Sequence, residues 1–185
     1  MTSSYFEQSD LDGLSPKDLA TLRDKHARRW ESAIRKECAS LSGDRRAFVD
    51  KNWEAPKIPG THQRVEESKP DFSGHLSDGS HVVFEAKTSL HKTRFSFDQI
   101  RPGQADHLAD AEACGAVSFV YLLDNLRRRW VIPWSVVERL RAIEGRQSFA
   151  YPESPHFIDR FSACQKRPGE TWLDAYTRLE MEGIL

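Results

Sequence analysis

The chain has 185 residues, 38% hydrophobic and 30% charged, with five tryptophans, which suits one compact domain with a solvated exterior and excludes a disordered chain. A formal net charge of -1 excludes recognition of nucleic acid by overall basicity, so any such surface must be local. Three distant cysteines, Cys38, Cys114 and Cys164, show no CxxC spacing, against a disulfide framework or a zinc site. No apolar run reaches the ~18 residues of a membrane span, and the polar N-terminus is unlike a leader, so a cytoplasmic protein without membrane contact is expected.

Residues 1–13 are polar and expected to be loose. Ser15-Pro16 supplies an N-cap and a first-turn proline for a helix running to Gly43. Leu19, Leu22, His26, Trp30, Ala33, Cys38 and Leu41 form its apolar stripe, with a break expected near Leu22 to Lys25. Ala47 through Trp53 reads as a strand, ended by Pro56, Pro59 and Gly60, and Thr61 to Ser68 as a loop. Phe72 to Leu76 and His81 to Lys87 flank Ser77-Asp78-Gly79-Ser80 as a hairpin. After the basic stretch Thr88 to Arg94, Pro102 to Ala113 is a helix with proline at its start and Gly115 beyond its end. Ala116 to Leu123 is a central strand, Asp124-Asn125 a turn into a strand from Arg129 to Ile132, and Ser135 to Ile143 a helix. An irregular stretch follows, and Trp172 to Met181 forms a last helix whose apolar residues pack on the chain's own core. The order predicts an α/β fold, a mixed sheet flanked by helices.

The hairpin holds the chemistry. Strand side chains alternate, so Val83, Glu85 and Lys87 share one face and Val82, Phe84 and Ala86 the other. On the preceding strand Asp71, Ser73 and His75 oppose Phe72, Gly74 and Leu76 in the same way. A two-residue turn would pair Phe72 with Glu85 and mix the faces. A three-residue loop Ser77-Asp78-Gly79, with glycine in the left-handed position, sets Phe72 opposite Phe84 and Asp71 opposite Glu85. Two carboxylates about 4.5–5.5 Å apart at Cβ repel unless a cation joins them, and a magnesium ion is the economical one. Glu85 and Lys87 alone would be an ordinary surface ion pair; Asp71 in matched register makes them a site.

Pro70-Asp71 with Glu85-Ala86-Lys87 resembles the PD-(D/E)xK nuclease motif. The continuation through Asp71-Phe72-Ser73-Gly74, Phe84 to Thr88, Phe95, Gln104, His107-Leu108, Gly115 and Phe119 resembles the RecU-type Holliday junction resolvases. That resemblance implies a restriction-endonuclease-like mixed sheet and an endonuclease of recombination or repair, working on branched DNA as a homodimer with magnesium, or manganese in its place. It assigns metal binding to Asp71, Glu85 and the Ala86 carbonyl, water positioning to Lys87, a place at the edge of the site to Gln104, and completion of the metal surroundings to Glu31. RecU proteins carry a long stalk before the motif, whereas here Gly60 to Ser68 is ordinary loop length, and Pro70 replaces the family's threonine.

Basic clusters stand at Lys25 to Arg29, Arg45-Arg46, Lys92 to Arg94 and Arg127 to Arg129, each alone a solvated face. Phosphate contacts are expected from Lys92, Arg94, Arg127, Arg128 and Arg129, with Thr88 to Ile100 as a substrate clamp in which Phe95 or Phe97 stacks on bases and at least one packs inward. His75 and His107 are left out of the site. A restriction-like, branched-DNA or transposon-end nuclease, or a non-catalytic DNA-binding module, remains open on this sequence.

Overall fold

The computed structural model describes residues 13–52, 69–143, 145–154 and 159–184. Residues 1–12, the strand end at Trp53 and the loop expected over 60–68 lie outside them.

Helix α1 spans Pro16–Gly43, started by the Ser15 hydroxyl, which accepts from the Asp18 N–H. It runs without the expected break, because no glycine or proline interrupts residues 17–42. Its buried residues are His26, Trp30, Ile34, Cys38 and Leu41, so Ile34 rather than Ala33 carries the third position. Strand β1 (Ala47–Lys51), β2 (Phe72–Leu76) and β3 (His81–Thr88) follow as an antiparallel meander. Next come β4 (Arg94–Ser96), a 3-10 turn (Phe97–Gln99) and α2 (Pro102–Ala113). Strand β5 (Val117–Leu123) pairs parallel with β3 across the α2 crossover, and β6 (Arg129–Pro133) returns antiparallel to β5. The sheet order is β1-β2-β3-β5-β6, a mixed five-stranded sheet with helices on both faces.

Helix α3 (Trp134–Glu138) continues as a π-helical turn to Ile143. The irregular stretch after it contains β7 (Ser148–Ala150) and a 3-10 turn (Asp159–Cys164), before α4 (Trp172–Met181). Strand β7 pairs with β4, placing Phe95 opposite Phe149. This corrects the expected clamp over Thr88 to Ile100. Phe95 and Phe97 are both fully buried and meet edge to face, so neither stacks on a base.

The central strand β3 is buried on both faces, Val82, Val83, Phe84 and Glu85 alike. On one face Phe84 stacks on Phe72 and Phe119 at 5.0 and 4.6 Å between centroids, and Trp30 of α1 and Trp172 of α4 close over this group. The other face carries α2, whose Leu108 carbonyl accepts from the Ser118 hydroxyl. Trp172, Ala175, Tyr176 and Leu179 pack into the chain's own core. All three cysteines are free, Cys114 exposed and the other two buried. No helix among the described residues is long and apolar enough to cross a membrane.

Gly74 holds β1 and β2 together in a way no other residue would. A Cβ there would stand 2.0 Å from the Phe48 carbonyl oxygen and 2.7 Å from Val49 Cα, closer than atoms can pack. The resulting tight approach brings the end of β1 beside the start of β2.

Candidate active site

The hairpin has the register that its loop demands. Phe72 pairs with Phe84 and His75 with His81, Leu76 and Ser80 close the three-residue loop, and Gly79 takes φ +89 in the left-handed region. Asp71 therefore meets Glu85 just beyond the paired residues. The Asp71 N–H donates to Glu85 Oε2 at 3.0 Å, and the Ala86 N–H donates to Asp71 Oδ2 at 3.1 Å.

Glu85 is only 1% exposed. Its Oε1 accepts from Lys87 Nζ at 2.7 Å and from Gln104 Nε2 at 2.6 Å. Gln104 Oε1 in turn accepts from Lys87 Nζ at 3.2 Å and from the Arg101 N–H at 3.1 Å. Gln104 is thus a buried bridge, not the solvent-facing first-turn residue its position also allowed. Proline at the first turn of α2 fixes the backbone, and an amide with one donor and one acceptor end satisfies an acid and an ammonium together.

Burial pushes the Asp71 carboxyl up, against the Ala86 N–H and the Lys87 ammonium. Burial, and then the neighbouring Asp71, push Glu85 up to about 7, against the same ammonium. Two acids that resist ionisation side by side form a place for a proton or a cation.

Glu31 lies at the flank of this pair, and its field reaches Asp71. Its partner is Lys51 at the end of β1, not Arg35 one turn along α1. Lys51 also acts on Asp71, in the opposite sense to Glu31. Asn52 completes the frame: its side-chain amide donates to the Pro70 carbonyl, its oxygen accepts from the Ser73 hydroxyl, and its N–H donates to the Asp71 carbonyl. Neither Lys51 nor Asn52 carries a local signal, since both act across a strand pair separated by a long connection. Among the described residues no three His, Cys, Asp or Glu side chains converge as a metal-ligating group. What the hairpin offers is two adjacent carboxylates, hard-oxygen groups suited to a dication that keeps several waters.

The basic residues differ among themselves. Lys92 is exposed in the β3–β4 connection and Arg94 on β4. Arg127 is exposed in the β5–β6 turn, with φ +62, and Arg129 is exposed beside Glu37 and over the Trp30 ring. Arg128 is drawn inward: it binds Asp124 at 2.6 Å and Glu153 at 2.6 Å and covers the Trp130 and Tyr151 rings. Its guanidinium serves the fold and is withdrawn from the phosphate set.

The fold and the hairpin define a carboxylate–lysine centre of the PD-(D/E)xK pattern on a mixed sheet. A family model described as RecU, Recombination protein U, matches residues 54–156, more than half of the chain, and the chain belongs to that family. It is 30% identical over 88 residues to the Holliday junction resolvase RecU of Leuconostoc mesenteroides subsp. mesenteroides, covering 46% of this chain and 43% of that protein. The match thus spans less than half of the relative's length. Among solved structures, the Holliday junction resolvase Hjc of Archaeoglobus fulgidus aligns at a TM-score of 0.41 with 18% identity, over 68% of this chain and 87% of that one.

Proposed function

We propose that this chain is a magnesium-dependent DNA endonuclease that resolves branched DNA, four-way junctions first among its substrates, in recombination or repair. The observation that carries the reading is the buried Asp71–Glu85 pair, bridged to Lys87 through Gln104, inside the segment that matches the RecU family. The name of the Leuconostoc relative supports the choice of substrate.

Asp71, Glu85 and the Ala86 carbonyl would hold the ion. A divalent cation supplies there a more acidic water and charge for the leaving oxygen. The chain's own residues do the rest. Lys87, one hydrogen bond from Glu85 Oε1, positions the attacking water and offsets phosphate charge. Gln104, itself anchored on the Arg101 N–H, keeps the Lys87 ammonium and the Glu85 carboxylate in one orientation. Lys92, Arg94, Arg127 and Arg129 meet the flanking phosphates. Cutting two strands of a junction symmetrically calls for two centres, and a two-fold homodimer supplies them.

A cleavage panel tests the reading: four-way junction, flap, duplex and single-stranded DNA, each with magnesium, manganese or EDTA. Cutting with either metal and none in EDTA is expected, with the junction preferred. Asp71→Asn and Lys87→Ala should each lower cutting on the order of 10³-fold with DNA binding retained. Unchanged cleavage by either variant overturns the site. The short Gly60 to Ser68 segment is the observation that favours a different branched substrate, and preference for the flap would select it.

A further inference from the structure

Helix α1 carries charge that neither the core nor the hairpin uses. Between residues 25 and 36 its exposed positions are Lys25, Arg28, Arg29, Ser32, Arg35 and Lys36: five cations and a serine, without an acid. The spacing by three and four puts all six in one stripe, about 120° wide and about 16 Å long. Asp24, one turn before Arg28, is the one exposed acid at the stripe's N-terminal edge, and the two glutamates of this stretch are held by other elements. Glu31 reaches Lys51, and Glu37 accepts from the Tyr121 hydroxyl and the Trp172 N–H.

Four arginines elsewhere are held in close ion pairs: Arg46 with Asp174, Arg128 with Asp124 and Glu153, Arg167 with Glu182, Arg178 with Glu170. None of the five stripe cations is in an ion pair among the described residues. In a protein of net charge -1 this is segregation of charge. Neighbouring like charges at this spacing cost helix stability, and a polyanion laid along the stripe would relieve them.

We infer that the outer face of α1 is a phosphate rail for a DNA arm leading away from the scissile site, an inference that rests on the proposed nuclease function. Arg28 and Arg35 stand one turn to either side of Glu31, rotated only about 40–60° from it toward solvent. Glu31 binds Lys51, whose neighbour Asn52 donates its N–H to the Asp71 carbonyl, so the stripe passes the flank of the catalytic hairpin. Its length matches about five base-pair steps at 3.4 Å each. An anionic membrane is the weaker occupant. A surface-lying helix inserts an apolar face, and the apolar face of α1 is occupied by the sheet through Trp30, Ile34 and Leu41.

The test measures binding of a labelled four-way junction in EDTA from 50 to 200 mM salt, beside cleavage in magnesium. The proteins are the unaltered chain, a variant with the five cations changed to alanine, the milder Arg28→Gln/Arg35→Gln pair, and Arg23→Ala as an exposed control off the stripe. The five-fold variant should bind with a log–log salt slope shallower by about 2 to 3, at about 0.9 per phosphate released, and the pair by about 1 to 2. The control should match the unaltered chain. Should the five-fold variant fail to melt cooperatively, the pair alone decides. An unchanged slope in the pair, or an equal change in the control, overturns the rail while cleavage by the unaltered chain keeps the nuclease reading. A stripe-dependent slope without metal-dependent cleavage overturns the nuclease reading and keeps the rail as a DNA surface. Stripe-dependent binding to phosphatidylserine vesicles with no binding to DNA overturns both.

Discussion

Asp71 is flanked by two lysine–glutamate pairs of the same composition and opposite construction. Glu85 and Lys87 lie two residues apart on one strand, with side chains 2% and 16% exposed, and share a glutamine. Glu31 and Lys51 come from a helix and a different strand, are 22% and 25% exposed, and share no third side chain among the described residues. Burial makes the difference. Removing one member of a buried pair strands a charge and costs about 3–5 kcal/mol, whereas a partly solvated pair is worth about 0–1 kcal/mol. The first pair is therefore suited to hold chemistry, and the second to adjust the field at Asp71.

The comparison breaks hardest at Gln104. Gln104→Ala removes the bridge that only the buried pair possesses, while leaving both of its charged members in place. Loss of such an outer support lowers metal affinity or activity by about 10–100-fold. Magnesium dependence of cleavage and a thermal melt check it together: an activation curve shifted to higher magnesium with little change in melting temperature is expected. An unshifted curve would make the Gln104 hydrogen bonds incidental to the site.

Gly74→Ala addresses the other pair. The new methyl has no room against Phe48 and Val49, so β1 must lift from β2, carrying Lys51 and Asn52 away from Asp71. Overpacking of this kind costs about 1–3 kcal/mol, read as a lower midpoint in urea unfolding. Cleavage should fall less than in Gln104→Ala, because β2 and β3 keep their own register. A loss of activity as large as that of Lys87→Ala would place Lys51 and Glu31 inside the chemistry and erase the distinction between the pairs.

The two pairs were also unequally legible in the sequence. Glu85, Lys87 and Asp71 are linked by a three-residue loop and a period of two, so alternation and Gly79 sufficed to set their register. Gln104 followed from family pattern, and Pro102 marked the helix start that aims it. Glu31 was recognised by resemblance, but its partner was not, because Lys51 reaches it only after β1 pairs with β2 across an intervening connection. The same reason hid the β4–β7 pairing, which joins Phe95 to Phe149, and the inward turn of Arg128 toward Glu153. Each depends on partners far along the chain, and the local pattern of a basic stretch says only that it is polar.

The smallest effect is read from the titration of Glu85 in the buried pair. Glu85, held at about 7 instead of its ordinary 4.5, binds its proton more tightly in the folded chain than in the unfolded one. Its contribution to stability is therefore fully present below pH 4.5 and is lost as pH rises through 7, after which it stays flat. Glu85→Gln removes that slope, because the amide never ionises. In EDTA, the melting temperature of the unaltered chain minus that of Glu85→Gln should fall between pH 4.5 and 7 and level above it. Adding magnesium at pH 8 should raise the unaltered chain alone, since the dication binds the ionised carboxylate that the variant lacks. A difference that stays constant with pH would mean that Glu85 ionises as freely as a surface acid, and its burial would have no electrostatic consequence.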